Sequence, residues 1–373
     1  MTIFDRLLFQ LSHPIQSFYR YWLYRHSIPI VSPSTLKQLC RQWEHHERKQ
    51  LLTAEERRIV ASIQQQTEQF NRDNVTRTEA YFSFFQRCPE VHWAFLAHLV
   101  SRNGGWNMTD LKGSLIPSII ASEQIQPLFL FLERANVLIF HDAYPQLLLY
   151  EESKRRKKKL FDLLPCFSVS SFMKPFWELF YETNDAPLLT VALIINEQQY
   201  IQQNVVKDPF FQQHVIATFP FLCQQWLGFN DVLIPYKSGR HIHLTGITVR
   251  DFADVSHRIE VGKALYGMLF YRKPLFRHVY HFARQTKHSG SRADFWPHVF
   301  STEKTNEGMH LYSPRLYDAW PAIIHRFPDR RDWFCDMSIV QEIETIPFMT
   351  NPDMTRHYER NLETLRAIAS VTN

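Results

Sequence analysis

Glycine is scarce in this chain: ten residues in 373, with none before Gly104. Sheet proteins draw on glycine for a tight turn every few residues, so the scarcity argues against an all-β fold and for helices. Cysteine is scarce too. Cys40, Cys88, Cys166, Cys223 and Cys335 are scattered, odd in number and never spaced Cys-x-x-Cys. That pattern argues against a disulfide framework or a Cys-rich zinc site and points to a reducing cytoplasm. Long apolar runs are missing. The best stretches, around Leu128–Leu132 and Leu188–Ile195, fall well short of the roughly 20 residues of a membrane span. The N-terminus carries Asp5 and Arg6 and lacks the apolar core of a signal peptide. No P-loop, Gly-x-Gly-x-x-Gly, Gly-x-Ser-x-Gly or His-Glu-x-x-His occurs, which removes the commonest nucleotide, hydrolase and zinc-protease signatures and leaves no cofactor legible.

What is present is apolar and aromatic. Apolar residues make up 45% and charged residues 21%, with 30 Phe, the composition of a globular chain with a thick aromatic core. The net charge of +5 is matched by one run, Lys154-Arg-Arg-Lys-Lys-Lys159. That run has no interleaved aromatics for stacking on bases, so a nucleic-acid partner is not implied. Six consecutive charges cover every face of a helix, so the run is an exposed loop or a helix end.

The periodicity predicts a mainly α, multi-helix single domain over 31–373, with at most one short β-hairpin near 232–249 and a sub-boundary near 151–165. Residues 1–30 read as an amphipathic helical extension, with Phe4, Leu8, Phe18 and Trp22 on its stripe. Its bland fate is packing on the body; its sharper one is lying on a membrane surface. Thr53-Ala-Glu-Glu56 and Thr76-Arg-Thr-Glu79 match the capping box and predict helices over 54–70 and 77–87. Pro89 opens a helix apolar all round to Arg102, a central one. Further helices are expected over 121–140, 169–181, 186–204 and 209–226, then a long one after Thr248-Val-Arg-Asp251, and a last one over 352–369.

The first two glycines are adjacent, in Ser101-Arg-Asn-Gly-Gly-Trp-Asn-Met-Thr-Asp-Leu-Lys112. Read structurally, Asn103-Gly104-Gly105 ends the central helix as a left-handed cap, and Asn107 caps a short helix with Asp110 as its third residue. Read functionally, the Gly-Gly amides form an anion-binding nest beside Arg102, Trp106 and Lys112, with His98 one turn away. A second cationic loop surrounds Gly290, carrying His288, Ser291, Arg292 and Asp294. Its Ser-Arg-x5-His spacing to His298 fits one piece of the lipid-phosphatase motif, but the rest of that motif is absent. His241-Ile-His243, with Asp251, Asp254 and His257 following, could hold a metal only if two clusters folded together, and no metal site is assigned.

The segments Asn74-Val-Thr-Arg-Thr-Glu-Ala-Tyr81, Pro89-Glu-Val-His-Trp-Ala-Phe-Leu-Ala-His98 and Ser101-Arg-Asn-Gly-Gly-Trp-Asn-Met-Thr-Asp110 resemble an uncharacterised family of Bacillus-type proteins, domain of unknown function 2515. The resemblance covers most of the chain from about residue 40. It implies a bacterial cytoplasmic protein and transfers no activity and no catalytic residue.

Two functions follow from the residues. In one, Arg102, Asn103, Gly104, Gly105, Trp106, Asn107, Lys112 and Arg292 bind a small phosphate- or carboxylate-bearing ligand. His98 or His288 serves as acid/base, and Asp110 or Asp294 orients it. In the other, the chain is an interaction protein that docks on a membrane surface or protein partner through its N-terminal helix and the 154–159 run.

Overall fold

A computed structural model describes residues 27–44, 51–218, 230–304, 310–325, 327, 331–348 and 353–372. The expected N-terminal helices over 1–26 lie outside them.

Local signals fix several helices. α1 (Pro33–Glu44) starts with Pro at its first position, and α2 (Ala54–Phe70) carries the full Thr53–Glu56 capping box. α3 (Asn74–Arg87) begins earlier than expected. Its cap is Asp73, which accepts from the Thr76 N–H at 2.7 Å, while Thr76 Oγ1 lies 3.1 Å from the Asp73 N–H. The box is therefore Asp73–Thr76, one turn before the Thr76–Glu79 match.

The central helix α4 (His92–Asp110) is the largest departure from expectation. It runs straight through Gly104 and Gly105, and neither glycine has positive φ. The long α5 (Ser122–Arg156) likewise passes through Pro127 and Pro145 instead of ending near 140. A proline inside a helix costs ~3 kcal/mol. Burial offsets it here: Tyr144, Leu147, Leu148, Leu149 and Tyr150 are all buried. The basic run falls at the end of α5, where Lys157 adopts the left-handed cap.

α6 (Met173–Thr183) and α7 (Ala186–Ile201) follow, the latter extended by a π turn over Gln202–Val206. The expected hairpin is present as β2 (Asp231–Ser238) antiparallel to β3 (His241–Thr248). Gly239 supplies the positive φ of its turn. α8 (Val255–Phe270) is capped by Asp254, not Thr248, which ends β3. α9 (Lys273–Gln285) and α10 (Thr355–Thr372) follow. β1 (Ser27–Pro29) pairs with β6 (Thr345–Pro347), and β4 (Phe300–Ser301) with β5 (Leu311–Tyr312), so two small pairings join the expected hairpin.

The fold is mainly helical, and α4 is its axis, packed on α3, α5, α7 and β2. Its first half, through Trp93, Phe95 and Leu99, belongs to the main core. Trp106 belongs to a second, smaller core with Leu233, Leu244, Phe282, Phe295 and Tyr358. The loop after α9 and the hairpin thus close over the end of α4.

Candidate functional site

Helical spacing gives α4 two opposed faces. His98, Arg102, Gly105 and Thr109 share one; Ala97, Val100, Gly104, Asn107 and Leu111 share the other. The adjacent glycines therefore point to different neighbourhoods. A Cβ on Gly105 would lie 2.5 Å from Nε2 of His288 and closer still to Oδ1 of Asn74. A Cβ on Gly104 would lie 3.1 Å from the Asn136 amide. The pair is neither a cap nor a nest, because its amides sit inside the helix. Each glycine costs about 1 kcal/mol of helix propensity relative to Ala, and at Gly105 the missing methyl makes room for a hydrogen bond running alongside the helix.

That bond joins His288 Nε2 to Asn74 Oδ1 at 2.9 Å. The Asn74 amide nitrogen donates to the Ser101 carbonyl at 2.9 Å and to Asn136 Oδ1 at 3.3 Å, so Oδ1 accepts and His288 donates. His288 Nδ1 then faces Asp294 Oδ2 at 3.5 Å. Burial lowers the His288 pKa despite Asp294. Asp294 is held below the usual carboxylate range against the effect of burial, with the Ser289 N–H and hydroxyl donating to it. One turn before Arg102, His98 Nδ1 lies 2.8 Å from the Thr78 carbonyl, which can only accept. The neutral ring therefore presents the lone pair of Nε2. Burial and then the Arg102 charge hold His98 well below its ordinary pKa.

Arg102 is the anomaly. It is 1% exposed, and Nε, Nη1 and Nη2 all lack a hydrogen-bond partner. Its guanidinium lies against the rings of Trp106 (5.7 Å) and Phe282 (5.4 Å). Burial lowers its pKa to about 10, and Asp294 and Glu79 oppose this only through space. It stays charged at neutral pH, in surroundings where an unpaired charge costs several kcal/mol. The buried Trp106 Nε1 also lacks an acceptor, as does the buried Nε2 of His98 a partner.

The Gly290 loop does come to this helix. Thr109 Oγ1 donates to the Gly290 carbonyl at 2.6 Å. Arg292 Nε donates to both Asp110 oxygens (3.0 and 2.8 Å), and its Nη2 reaches Asp110 Oδ2 (2.7 Å) and Asn107 Oδ1 (3.1 Å). Asp110 outweighs burial and raises the Arg292 pKa. Asp110 and Asn107 are thus engaged with Arg292, so Asp110 orients neither histidine and Asn107 caps no helix. Asn103 is a bracket for β2, donating to the Asp231 carbonyl at 3.1 Å and accepting from the Leu233 N–H at 2.9 Å. Lys112 lies over the Trp320 ring at 4.7 Å instead of beside Arg102. The sequence-derived set thus divides. His98, Arg102, Gly105, Trp106, His288 and Asp294 share one neighbourhood, while Asn103, Gly104, Asn107, Asp110, Lys112 and Arg292 have other partners.

The opposite face of α4 borders a cavity of about 240 Å3 between α4, α5, α7, α8 and the start of β2. Its wall is mostly aliphatic and aromatic. Glu197, Gln198 and Arg258 also line it, and reading the sequence alone did not find them. The available signal was Asn196-Glu197-Gln198-Gln199 breaking the apolar run of α7.

Elsewhere, the basic run is largely neutralised. Lys154 pairs with Glu90, Arg155 and Arg156 with Glu152, Arg156 also with Glu55, and Lys159 with Glu182. Among the described residues, no group of three or more His, Cys, Asp or Glu side chains is placed to hold a metal. Nor is any helix among them long and apolar enough to cross a membrane.

No solved structure matches the chain. It is 43% identical over 279 residues to the uncharacterized protein YppC of Bacillus subtilis (strain 168), covering 74% of this chain and 84% of that protein. Residues 69–366 match the model of the family described as protein of unknown function DUF2515. Everything described above on α4 and the Gly290 loop lies within that match, and the chain belongs to the DUF2515 family.

Proposed function

We propose that this protein binds a small oxyanion, a carboxylate or phosphate group, against the buried face of α4 at Arg102. One observation carries the reading: a fully buried guanidinium with no hydrogen-bond acceptor on any of its three nitrogens. Charge-assisted bonds of this type are worth about 1.5–3 kcal/mol each, and the flanking Trp106 and Phe282 rings keep the local dielectric low. Trp106 Nε1 adds a neutral donor, and His98 Nε2 can accept from a protonated oxygen of the ligand, as in hydrogen phosphate. The binding set is therefore Arg102, Trp106 and His98, with His288–Asp294 behind it. The Gly-Gly amides and Lys112 have no part in it.

The test is thermal unfolding in phosphate, acetate and chloride at matched ionic strength. A bound oxyanion at 100 times its Kd stabilises by about 2.7 kcal/mol, and Arg102→Met abolishes that response. An equal response in Arg102→Met, or none in the parent, overturns the proposal. The docking reading has less support, since four of the six cations at 154–159 already pair with carboxylates.

A further inference from the structure

We propose that the cavity on the far side of α4 is a second binding site, for an uncharged and mostly apolar molecule bearing one hydrogen-bond acceptor, which the Glu197 carboxyl contacts. Its volume of about 240 Å3 suits about ten non-hydrogen atoms, scaling from the ~150 Å3 apolar cavity that holds benzene.

The wall selects for apolar matter. Val100, in the middle of the central helix, is 36% exposed and lines this space. A side chain at such a position is normally covered. The polar groups on the wall are mostly committed. Asn103 serves β2, Asn107 accepts from Arg292, and Asn136 donates to the Leu132 carbonyl. Arg258 is buried but bound by neutral acceptors: Gln198 Oε1 (2.8 Å), Gln202 Oε1 (2.8 Å) and the carbonyls of Gln198 and Phe252. Among the described residues a ligand anion finds no unengaged cation there, and a ligand cation meets the Arg258 charge.

Glu197 remains. Gln198 Nε2 donates to its Oε1 at 3.2 Å, and the Trp93 indole also hydrogen-bonds to it. Neither partner is charged. Burial pushes its pKa up to about 8, with the Asp142 charge adding to the rise. At neutral pH it is a carboxylic acid with one O–H to give. A carbonyl, ether or hydroxyl oxygen on an apolar frame is the complement of that wall.

The probes are four molecules of near-equal size: nonan-2-one, decane, nonylamine and nonanoate. Each is titrated into the full chain at pH 6.5 by calorimetry and thermal shift. The ketone binds tightest, at least tenfold over decane, amine and carboxylate. Glu197→Leu brings ketone and decane within twofold of each other, and Glu197→Gln, which keeps a donor, preserves the preference. Val100→Phe fills the space and weakens ketone and decane alike by tenfold or more. If that variant does not fold, Ala135→Phe on the α5 wall reads the same quantity. The proposal fails if no probe binds, or if the amine or carboxylate equals the ketone. It also fails if Glu197→Leu keeps the preference or the filling variants bind as the parent does.

Discussion

Two buried arginines at α4 receive opposite treatment. Arg292 reaches in from the Gly290 loop and spreads its Nε and Nη2 over Asp110 and Asn107. Arg102, on the helix itself, is just as buried and has no acceptor at all. The two have the same charge and the same solvent exclusion, and only one has a structural partner. A fold that can pair one arginine in this region can pair two. The difference marks Arg292 as the tie between loop and helix, and Arg102 as the group left for something else.

The largest test of that contrast is to remove each charge. Arg292→Met strands the Asp110 carboxylate and should destabilise by about 3–5 kcal/mol. Arg102→Met removes an unpaired charge and should stabilise the protein in anion-free buffer by at least about 1 kcal/mol. Urea unfolding of both variants decides it; equal losses would erase the distinction between the two arginines.

Next comes the contrast between the two faces in pH. Glu197 on the cavity side titrates at about 8 when folded, against about 4.5 unfolded. The native state therefore holds its proton longer, and stability is lost as pH rises from about 4.5 towards 8. The imidazoles of half-buried His92 and buried His98 act the other way. Burial pushes His92 down to about 4 and His98 well below its ordinary value. Their contribution is present above pH 6.5 and lost as pH falls towards 4. Stability should thus peak in between. Glu197→Gln should flatten the alkaline limb, gaining on the order of 3 kcal/mol by pH 8. An unchanged limb in that variant would place the titration elsewhere.

The smallest effects separate the twin glycines. Gly105→Ala pushes a methyl into the Asn74–His288 hydrogen bond and should cost about 2 kcal/mol. Gly104→Ala meets only the end of the Asn136 side chain. There the gain in helix propensity leaves a net change within about 1 kcal/mol of zero. Chemical denaturation resolves the pair, and equal costs would mean that the two faces of α4 are equally tight.

Much of the architecture was legible. The Thr53 box, the Gly239 turn of the hairpin and the all-round apolar character of α4 are local or periodic signals, and they produced the elements expected of them. The Gly-Gly cap was misread because a helix-stop signal is also local. Nothing near Gly105 in sequence reveals that Asn74 and His288 occupy the volume of its missing Cβ. Pro145 misleads in the same way, since the burial that carries α5 through it comes from other helices. For the candidate site, the sequence singled out Arg102, Trp106, His98 and His288 by residue type. It could not separate them from Asn107, Asp110 and Lys112, whose partners lie in distant segments.

The sequence by itself determined that this is a helical protein with an atypical segment around residues 101–113, because composition, caps and periodicity act over a few residues. Tertiary structure alone decided what that segment is: one unbroken helix with a buried cation on one face and a cavity on the other. Burial and hydrogen-bond satisfaction belong to the assembled fold, so the unpaired Arg102 and the protonated Glu197 exist only once the distant elements have packed around α4.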